Sequence, residues 1–219
     1  MLKRTLEPEA MDSDSEASDY DAMDHSVVNE QFVEDLLAFS PELTDVLDLG
    51  TGTAQIPIVL CRHHATCRVM AVDLSVPMLE IARYNLEAAG VVQRVQLDQV
   101  DAKDLPYLDE MFEAVISNSI IHHIPDPQPV FSELARVLQP GGRVFLRDLL
   151  RPESEAHWQQ LVDTYAADCN EYQRKLFGDS LKAAFTLDEV RQMVEKLGWD
   201  AETVNATSDR HWTWADVKQ

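Results

Sequence analysis

The sequence predicts an α/β domain in which a parallel sheet is covered by helices on both faces. Two observations predict it. Between Asp45 and Leu150, short apolar runs of strand length alternate five times with stretches of helical spacing, the pattern of successive βα units. The 219 residues, 45% of them hydrophobic, exceed the usual size of one domain without reaching two, so one enlarged domain with a sizeable core is expected.

Taken in order, Val28, Phe32, Val33, Leu36, Leu37 and Phe39 recur at helical spacing until Pro41 stops the element. DVLDL (Asp45 to Leu49) is the first strand, a helix follows to about His64, and CRVMAVD (Cys67 to Asp73) is the second strand. The next helix runs from Pro77 to Ala89, with Ser75 as its cap and Gly90 just past its end. Arg94 to Asp101 and Phe112 to Asn118 are the third and fourth strands. Asp126 and Pro127 open a helix with Val130, Phe131, Leu134, Val137 and Leu138 on one face, stopped by Pro140, Gly141 and Gly142 before a fifth strand, Arg143 to Leu150. A helical insert is expected over 151–184, and Thr186 with Glu189 sets a capping box for a further helix ending near Gly198. Trp199 to Ala206 and His211 to Val217 read as a closing antiparallel pair of strands.

The expected organisation is an acidic arm over residues 1–30 and a single domain over 31–219. The net charge is −21, and in the first 30 residues only Lys3 and Arg4 oppose nine acidic side chains, so about a third of the excess sits in the arm. On composition the arm is solvated. Such a polyanion repels phosphate backbones and anionic lipid, which argues against nucleic acid and membrane partners. No apolar run approaches the roughly 20 residues that span a bilayer, and none follows Lys3 and Arg4 as in a signal peptide, so a soluble cytoplasmic protein is expected. Cys61, Cys67 and Cys169 form no Cys-x-x-Cys pair. Adjacent His63 and His64 diverge by about 100° on a helix, and no metal site is expected.

The chemistry concentrates in VLDLGTGTA, Val46 to Ala54, where the first strand meets the first helix. Gly50 and Gly52 have no Cβ, so the backbone can turn sharply and lie against a ligand at the carboxyl end of the strand. A dinucleotide fingerprint wants a glycine where Gln55 stands, and no Gly-Lys-Ser/Thr follows for a P-loop. Asp73 ends the second strand, where a carboxylate can accept from ribose hydroxyls; Asp101 and Ala102 end the third, and Asn118 and Ser119 the fourth. Polar or glycine positions at four successive strand ends converge on one crevice.

In these motifs the sequence resembles the class I S-adenosylmethionine-dependent methyltransferases. The match runs from Asp48 to Ala54 through Ala71 to Ser75 and Met78, then Asp101-Ala102, Ser117 to Ser119, and Val137 to Gly142. The resemblance implies a doubly wound, seven-stranded, mostly parallel Rossmann-like sheet with its last strand antiparallel. It implies S-adenosylmethionine as cofactor, with Asp48, Gly50, Thr51 and Gly52 around the methionine part and Asp73 on the ribose. Leu74, Met78, Asp101 and Ala102 would flank the adenine, and Asn118 and Ser119 would lie on the sulfonium side. Where this family often has a third glycine, the chain has Ala54.

Methyl transfer from a sulfonium disperses charge, so alignment and exclusion of water are the main tasks and a base is needed only if the acceptor must lose a proton. His122 and His123, in SNSIIHHIPDP, are the candidates for that base; the alternative is that they are structural. Asn118-Ser119-Ile120-Ile121 stands where amino-methylating enzymes carry Asn/Asp-Pro-Pro-Tyr, and a small-molecule acceptor is therefore expected. The insert, with Trp158, Tyr165, Tyr172 and Phe177, and the tail, with Trp212 and Trp214, are expected to build the acceptor pocket. A non-catalytic module binding the cofactor or its demethylated product, and a nicotinamide oxidoreductase, are the rival readings. The segment Tyr20 to His25 has two readings, a lid over a cationic cofactor or part of a solvated tail.

Overall fold

Seven strands form one sheet of order β3-β2-β1-β4-β5-β7-β6 in a computed structural model that describes residues 2–10 and 12–219. The expected arm includes Met1 and Met11, which lie outside the described residues. β1 (Asp45–Leu49) pairs in parallel with β2 (Arg68–Asp73) and β4 (Phe112–Asn118), and β2 with β3 (Val95–Gln99). The register sets Asp48 beside Ala71 and Ile116, and Asp73 beside Gln99, so the carboxyl ends of these strands share one edge. β5 (Leu138–Leu149) meets β7 (His211–Val217) in the opposite sense: Lys218 N–H donates to the Gly142 carbonyl at one end, and Leu150 N–H to the Arg210 carbonyl at the other. The sheet is therefore parallel except at β7, as the family resemblance implies.

The chain divides into two compact units. The larger takes in Ala10–Asn118, Gln128–Leu146 and Ala215–Gln219. Its core is apolar on both strand and helix faces. Phe32 and Leu36 of α2 (Ser26–Phe39) and Leu60 of α3 (Gln55–His63) are fully buried with Val46, Ala71 and Ile116. Phe32 meets Phe145 edge-on at 5.2 Å between ring centroids. Each such large side chain contributes roughly 1.5–3 kcal/mol on burial. α4 (Val76–Ala89) starts where Ser75 Oγ accepts from Met78 N–H and stops at Gly90, whose φ of 71° is easy only for glycine, and α5 (Gln128–Val137) buries the expected Val130, Phe131, Leu134 and Val137.

The smaller unit takes in the residues through Glu9, Ser119–Pro127 and Arg147–Trp214. α6 (Glu155–Tyr165) and α7 (Glu171–Ala183) bury Leu161, Val162 and Leu181, and α8 (Leu187–Lys196) begins at the expected Thr186–Glu189 capping box. Trp212 and Trp214, expected to line a pocket, are fully buried, and Trp214 packs edge-on against Trp199 at 5.2 Å. They are core, because β7 is covered rather than exposed at that register.

Three expectations change. The strand expected over Trp199 to Ala206 keeps only Val204–Ala206 as β6, since the Asp200 side chain accepts from Glu202 N–H and starts a 3₁₀ turn over Ala201–Thr203. β5 begins at Leu138 and not at Arg143, because pairing with Lys218 carries the strand through Pro140, Gly141 and Gly142. The acidic arm is structured where composition predicts solvation. α1 (Asp14–Asp21) carries a reciprocal Ser13–Glu16 capping box, buries Ala17 and lies against α4. Leu2 and Thr5 donate backbone bonds to the Glu153 and Lys182 carbonyls, within the smaller unit.

Helices α6 and α7 meet at a glycine. A Cβ at Gly178 would stand 2.8 Å from Trp158 Cζ2, and the indole cannot retreat, because its Nε1–H donates to the Gly178 carbonyl at 2.8 Å and Lys182 lies over its ring. Gly178→Ala is expected to lose on the order of 1–2 kcal/mol net of the alanine's better helix propensity, a fall in Tm of about 2–8 °C. Thermal melts check it, and an unchanged or raised Tm would contradict the packing described.

Candidate active site

The turn after β1 is built from left-handed backbone. Gly50, Gly52 and Ala54 have φ of 68°, 54° and 62°. The two glycines take this conformation freely, whereas Ala54 bears a cost of about 1–2 kcal/mol. The turn is fastened to β2: Thr51 N–H donates to the Val72 carbonyl at 2.9 Å and Gly52 N–H to Asp73 Oδ2 at 2.8 Å. The other oxygen of Asp73 accepts from Ser75 N–H at 2.9 Å. One carboxylate thus ties the glycine turn to the start of α4.

Beneath the turn lies Asp48, 1% exposed. Burial, partly offset by the neighbouring Thr51 hydroxyl and reinforced by the charge of Asp73, pushes its carboxyl up to about 7, although Thr51 stands outside good hydrogen-bond geometry. Asp48 Oδ2 and the hydroxyls of Thr51 and Thr53 are buried without a hydrogen-bond partner in the protein. Unmet polar atoms of this kind are costly, and three of them around one turn mark a place for a polar or cationic ligand.

The N-terminal segment closes on the same turn. Asp21 Oδ1 accepts from Asn85 Nδ2 at 2.9 Å and Gln55 Nε2 at 3.3 Å, and Asn85 Nδ2 also donates to the Thr53 carbonyl. The Tyr20 ring reaches the turn, for a Cβ on Gly52 would lie 3.9 Å from Tyr20 Cε1. Burial, together with Asp73 and Asp21, raises the Tyr20 phenol and keeps it a neutral donor.

The other expected cofactor residues are placed by the strands. Met78 is buried on α4, while Leu74 is exposed. Asp101 and Ala102 are half-buried past β3, and Asp101 Oδ1 accepts from Lys103 N–H at 2.9 Å. Asn118, half-buried, ends β4 at the same sheet edge. Ser119 belongs to the smaller unit and takes a left-handed φ of 62°.

A second cluster lies in the smaller unit. His122 and His123 sit on a 3₁₀ turn, Ile121–His123, whose Ile121 and His122 N–H groups both donate to Asp148 Oδ2. His122 Nδ1 bonds Asp148 Oδ1 at 2.5 Å. Burial alone would lower the His122 pKa, but Asp148 and Glu7 outweigh it and the net direction is up; burial alone would raise Asp148, but His122 and the backbone donors hold it below the usual range. Arg4 pins the N-terminal segment beside this cluster by donating to the carbonyls of Ala183, His122, Ile124 and Pro125. Sequence reasoning reached the two histidines, and Asp21 as part of the Tyr20 to His25 segment, but missed Arg4, Glu7 and Asp148, which lie far from the histidines in sequence, and Asn85. Among these the only local signal was the acidity of the arm.

The comparisons agree with this architecture. A family model described as a methyltransferase domain matches residues 47–146. The chain is 32% identical over 175 residues to the 27-O-demethylrifamycin SV methyltransferase of Amycolatopsis mediterranei, covering 78% of this chain and 60% of that one. It is 30% identical over 159 residues to the demethylmenaquinone methyltransferase of Porphyromonas gingivalis, covering 69% of this chain and 64% of that one. In fold alone it resembles the crystal structure of a SAM-dependent methyltransferase from Aquifex aeolicus, with a TM-score of 0.69 at 16% identity over 94% of this chain and 99% of that one. The chain belongs to the class I S-adenosylmethionine-dependent methyltransferase family. It spans less than two thirds of the length of either curated relative.

The raised Asp48 pKa carries a stability consequence. A carboxyl that folding raises from about 3.8 to about 7 destabilises the folded state once ionised, so stability falls as pH rises between those values and then levels off. Asp48→Asn is expected to gain little at pH 4 and up to a few kcal/mol at pH 8 relative to the parent chain. Urea unfolding of both at the two pH values tests this; equal differences at both would contradict it.

Proposed function

We propose that the chain transfers a methyl group from S-adenosylmethionine to a small organic acceptor. The observation that carries the proposal is the buried Asp48 carboxyl, whose Oδ2 lacks a hydrogen-bond partner, under a glycine turn fastened to Asp73. The residues present fit the cofactor: its ammonium and sulfonium supply the cationic character that Asp48 lacks, and its polar groups can satisfy Thr51 and Thr53. When bound, the cofactor supplies an electrophilic methyl whose C–S electron pair stays on sulfur as the acceptor attacks in line. The chain's part is to align and to exclude water.

In this reading Gly50 and Gly52 let the backbone approach the methionine part and Asp73 accepts from the ribose. Leu74, Met78, Asp101 and Ala102 serve the adenine, with Asn118 on the sulfonium side. Tyr20 and Asp21 act as a lid, since both already lie against the turn and its flanking residues. His122 does not act here as a free base, because its Nδ1 is bonded to Asp148 in a buried site, and His123 faces Glu7 beside it. A small acceptor is supported by the charge of −21, which repels polyanions, and by relatives named for demethylrifamycin SV and demethylmenaquinone.

Incubation with S-adenosylmethionine and a metabolite library is expected to yield S-adenosylhomocysteine with at least one acceptor; tight cofactor binding without turnover on any acceptor would favour a binding module. Asp73→Ala removes the clamp on Gly52 as well as the ribose acceptor. Its affinity for S-adenosylmethionine by calorimetry is expected to fall by roughly 100-fold or more, about 2.8 kcal/mol. Tyr20→Ala is expected to weaken binding by about 10-fold while leaving the Tm within a few degrees. Undiminished affinity in Asp73→Ala would refute the site.

A further inference from the structure

The smaller unit holds three potential ligand atoms that face one another without bonding one another. Glu7 Oε1 lies 3.0 Å from His123 Nδ1 and 3.4 Å from His122 Nε2. All three side chains offer an atom within 4.8 Å of the others. Yet Glu7 Oε1 and His123 Nδ1 are buried and neither makes a hydrogen bond, although they stand 3.0 Å apart. The Glu7 and His122 side chains are 8% and 4% exposed.

Asp148 decides the tautomer of His122. With its carboxylate on Nδ1 at 2.5 Å, the Nδ1 proton belongs to that bond and Nε2 turns a lone pair toward the Glu7 carboxylate. Two acceptors cannot stand 3.4 Å apart in a buried site unless a cation lies between them. Protons on His122 Nε2 and His123 Nδ1 would offer Glu7 two donors, yet Glu7 Oε1 and His123 Nδ1 make no hydrogen bond. A metal ion satisfies all three. Four ligands at about 2.0–2.1 Å in a tetrahedron stand about 3.3 Å apart, close to the two separations observed. The nearest other cation, Arg4, is occupied by four backbone carbonyls.

We propose that Glu7, His122 and His123 bind one divalent transition-metal ion of the Zn²⁺ or Co²⁺ type, with Asp148 as the residue that orients His122. Nitrogen and carboxylate ligands in a three-ligand set select borderline ions over Mg²⁺ or Ca²⁺ and leave a further coordination position open. The ion would cross-link two segments that are distant in sequence, the N-terminal segment at Glu7 and the 3₁₀ turn after β4, while Asp148 at the end of β5 braces the second. The proposal stands apart from methyl transfer, and neither depends on the other.

The test is a Co²⁺ titration of the chelator-stripped full chain followed by visible absorption, then displacement by Zn²⁺. The expected result is saturable 1:1 binding with a ligand-field band of tetrahedral or five-coordinate type, a Tm raised by Zn²⁺, and Mg²⁺ without effect. Glu7→Gln and His123→Ala are expected to weaken Co²⁺ at least 10-fold, and Asp148→Asn by about 10- to 100-fold with the band shifted. Failure of the parent chain to show a saturable band overturns the proposal whatever the variants do. So does binding that Glu7→Gln and His123→Ala leave unchanged, which would assign it to another site such as the exposed His63–Glu30 pair. Should Asp148→Asn fail to fold, the parent titration together with Glu7→Gln still decides.

Discussion

The Asp73 carboxylate is the interaction on which the larger unit's functional edge depends. It accepts from Gly52 N–H on one side and from Ser75 N–H on the other, so the turn after β1 and the entry to α4 are set by one side chain at the end of β2. Charge-assisted bonds of this kind contribute roughly 1.5–3 kcal/mol each, enough to offset the left-handed backbone at Ala54. With the turn fixed, α3 and α4 leave the sheet at defined points, Asn85 comes within reach of the Thr53 carbonyl, and Asp21 can close over both. Loss of the Asp73 carboxylate would release the clamp and the lid together.

The fold was largely legible because its elements obey local rules. The short apolar runs of β1, β2 and β4 sit where parallel pairing needs apolar residues on both faces, and Ser75, Gly90, Thr186 and Glu189 cap helices as their chemistry predicts. The failures share a cause. Lys218 extends β5 through Pro140 to Gly142 by a pairing far from it in sequence, and Asp200 diverts a strand-like run into a 3₁₀ turn by one side-chain bond. Composition also misread the arm, since acidity says nothing of a capping box or of one alanine buried against another helix.

The candidate site divides the same way. The glycine turn, Asp48 and Asp73 were readable because each is a residue type needed at a strand end. Their energetics were not: that Asp48 is buried unpaired follows only from the packing above it. His122 and His123 were readable as a pair, but their partners Glu7 and Asp148 come from the chain's beginning and from β5, and no spacing rule links them. The acidic excess thereby acquires local meanings: Asp21 braces the turn and Glu7 faces two imidazoles, while most of the rest is solvated charge.

The central claim is that the glycine turn holds a cation over Asp48. Carboxyl-carbon NMR of Asp48 across a pH titration, with and without saturating S-adenosylmethionine, tests it most directly. The account predicts a midpoint near 7 in the free chain and a fall into the ordinary carboxylate range when the cofactor is bound. A midpoint that saturation leaves unmoved would contradict it.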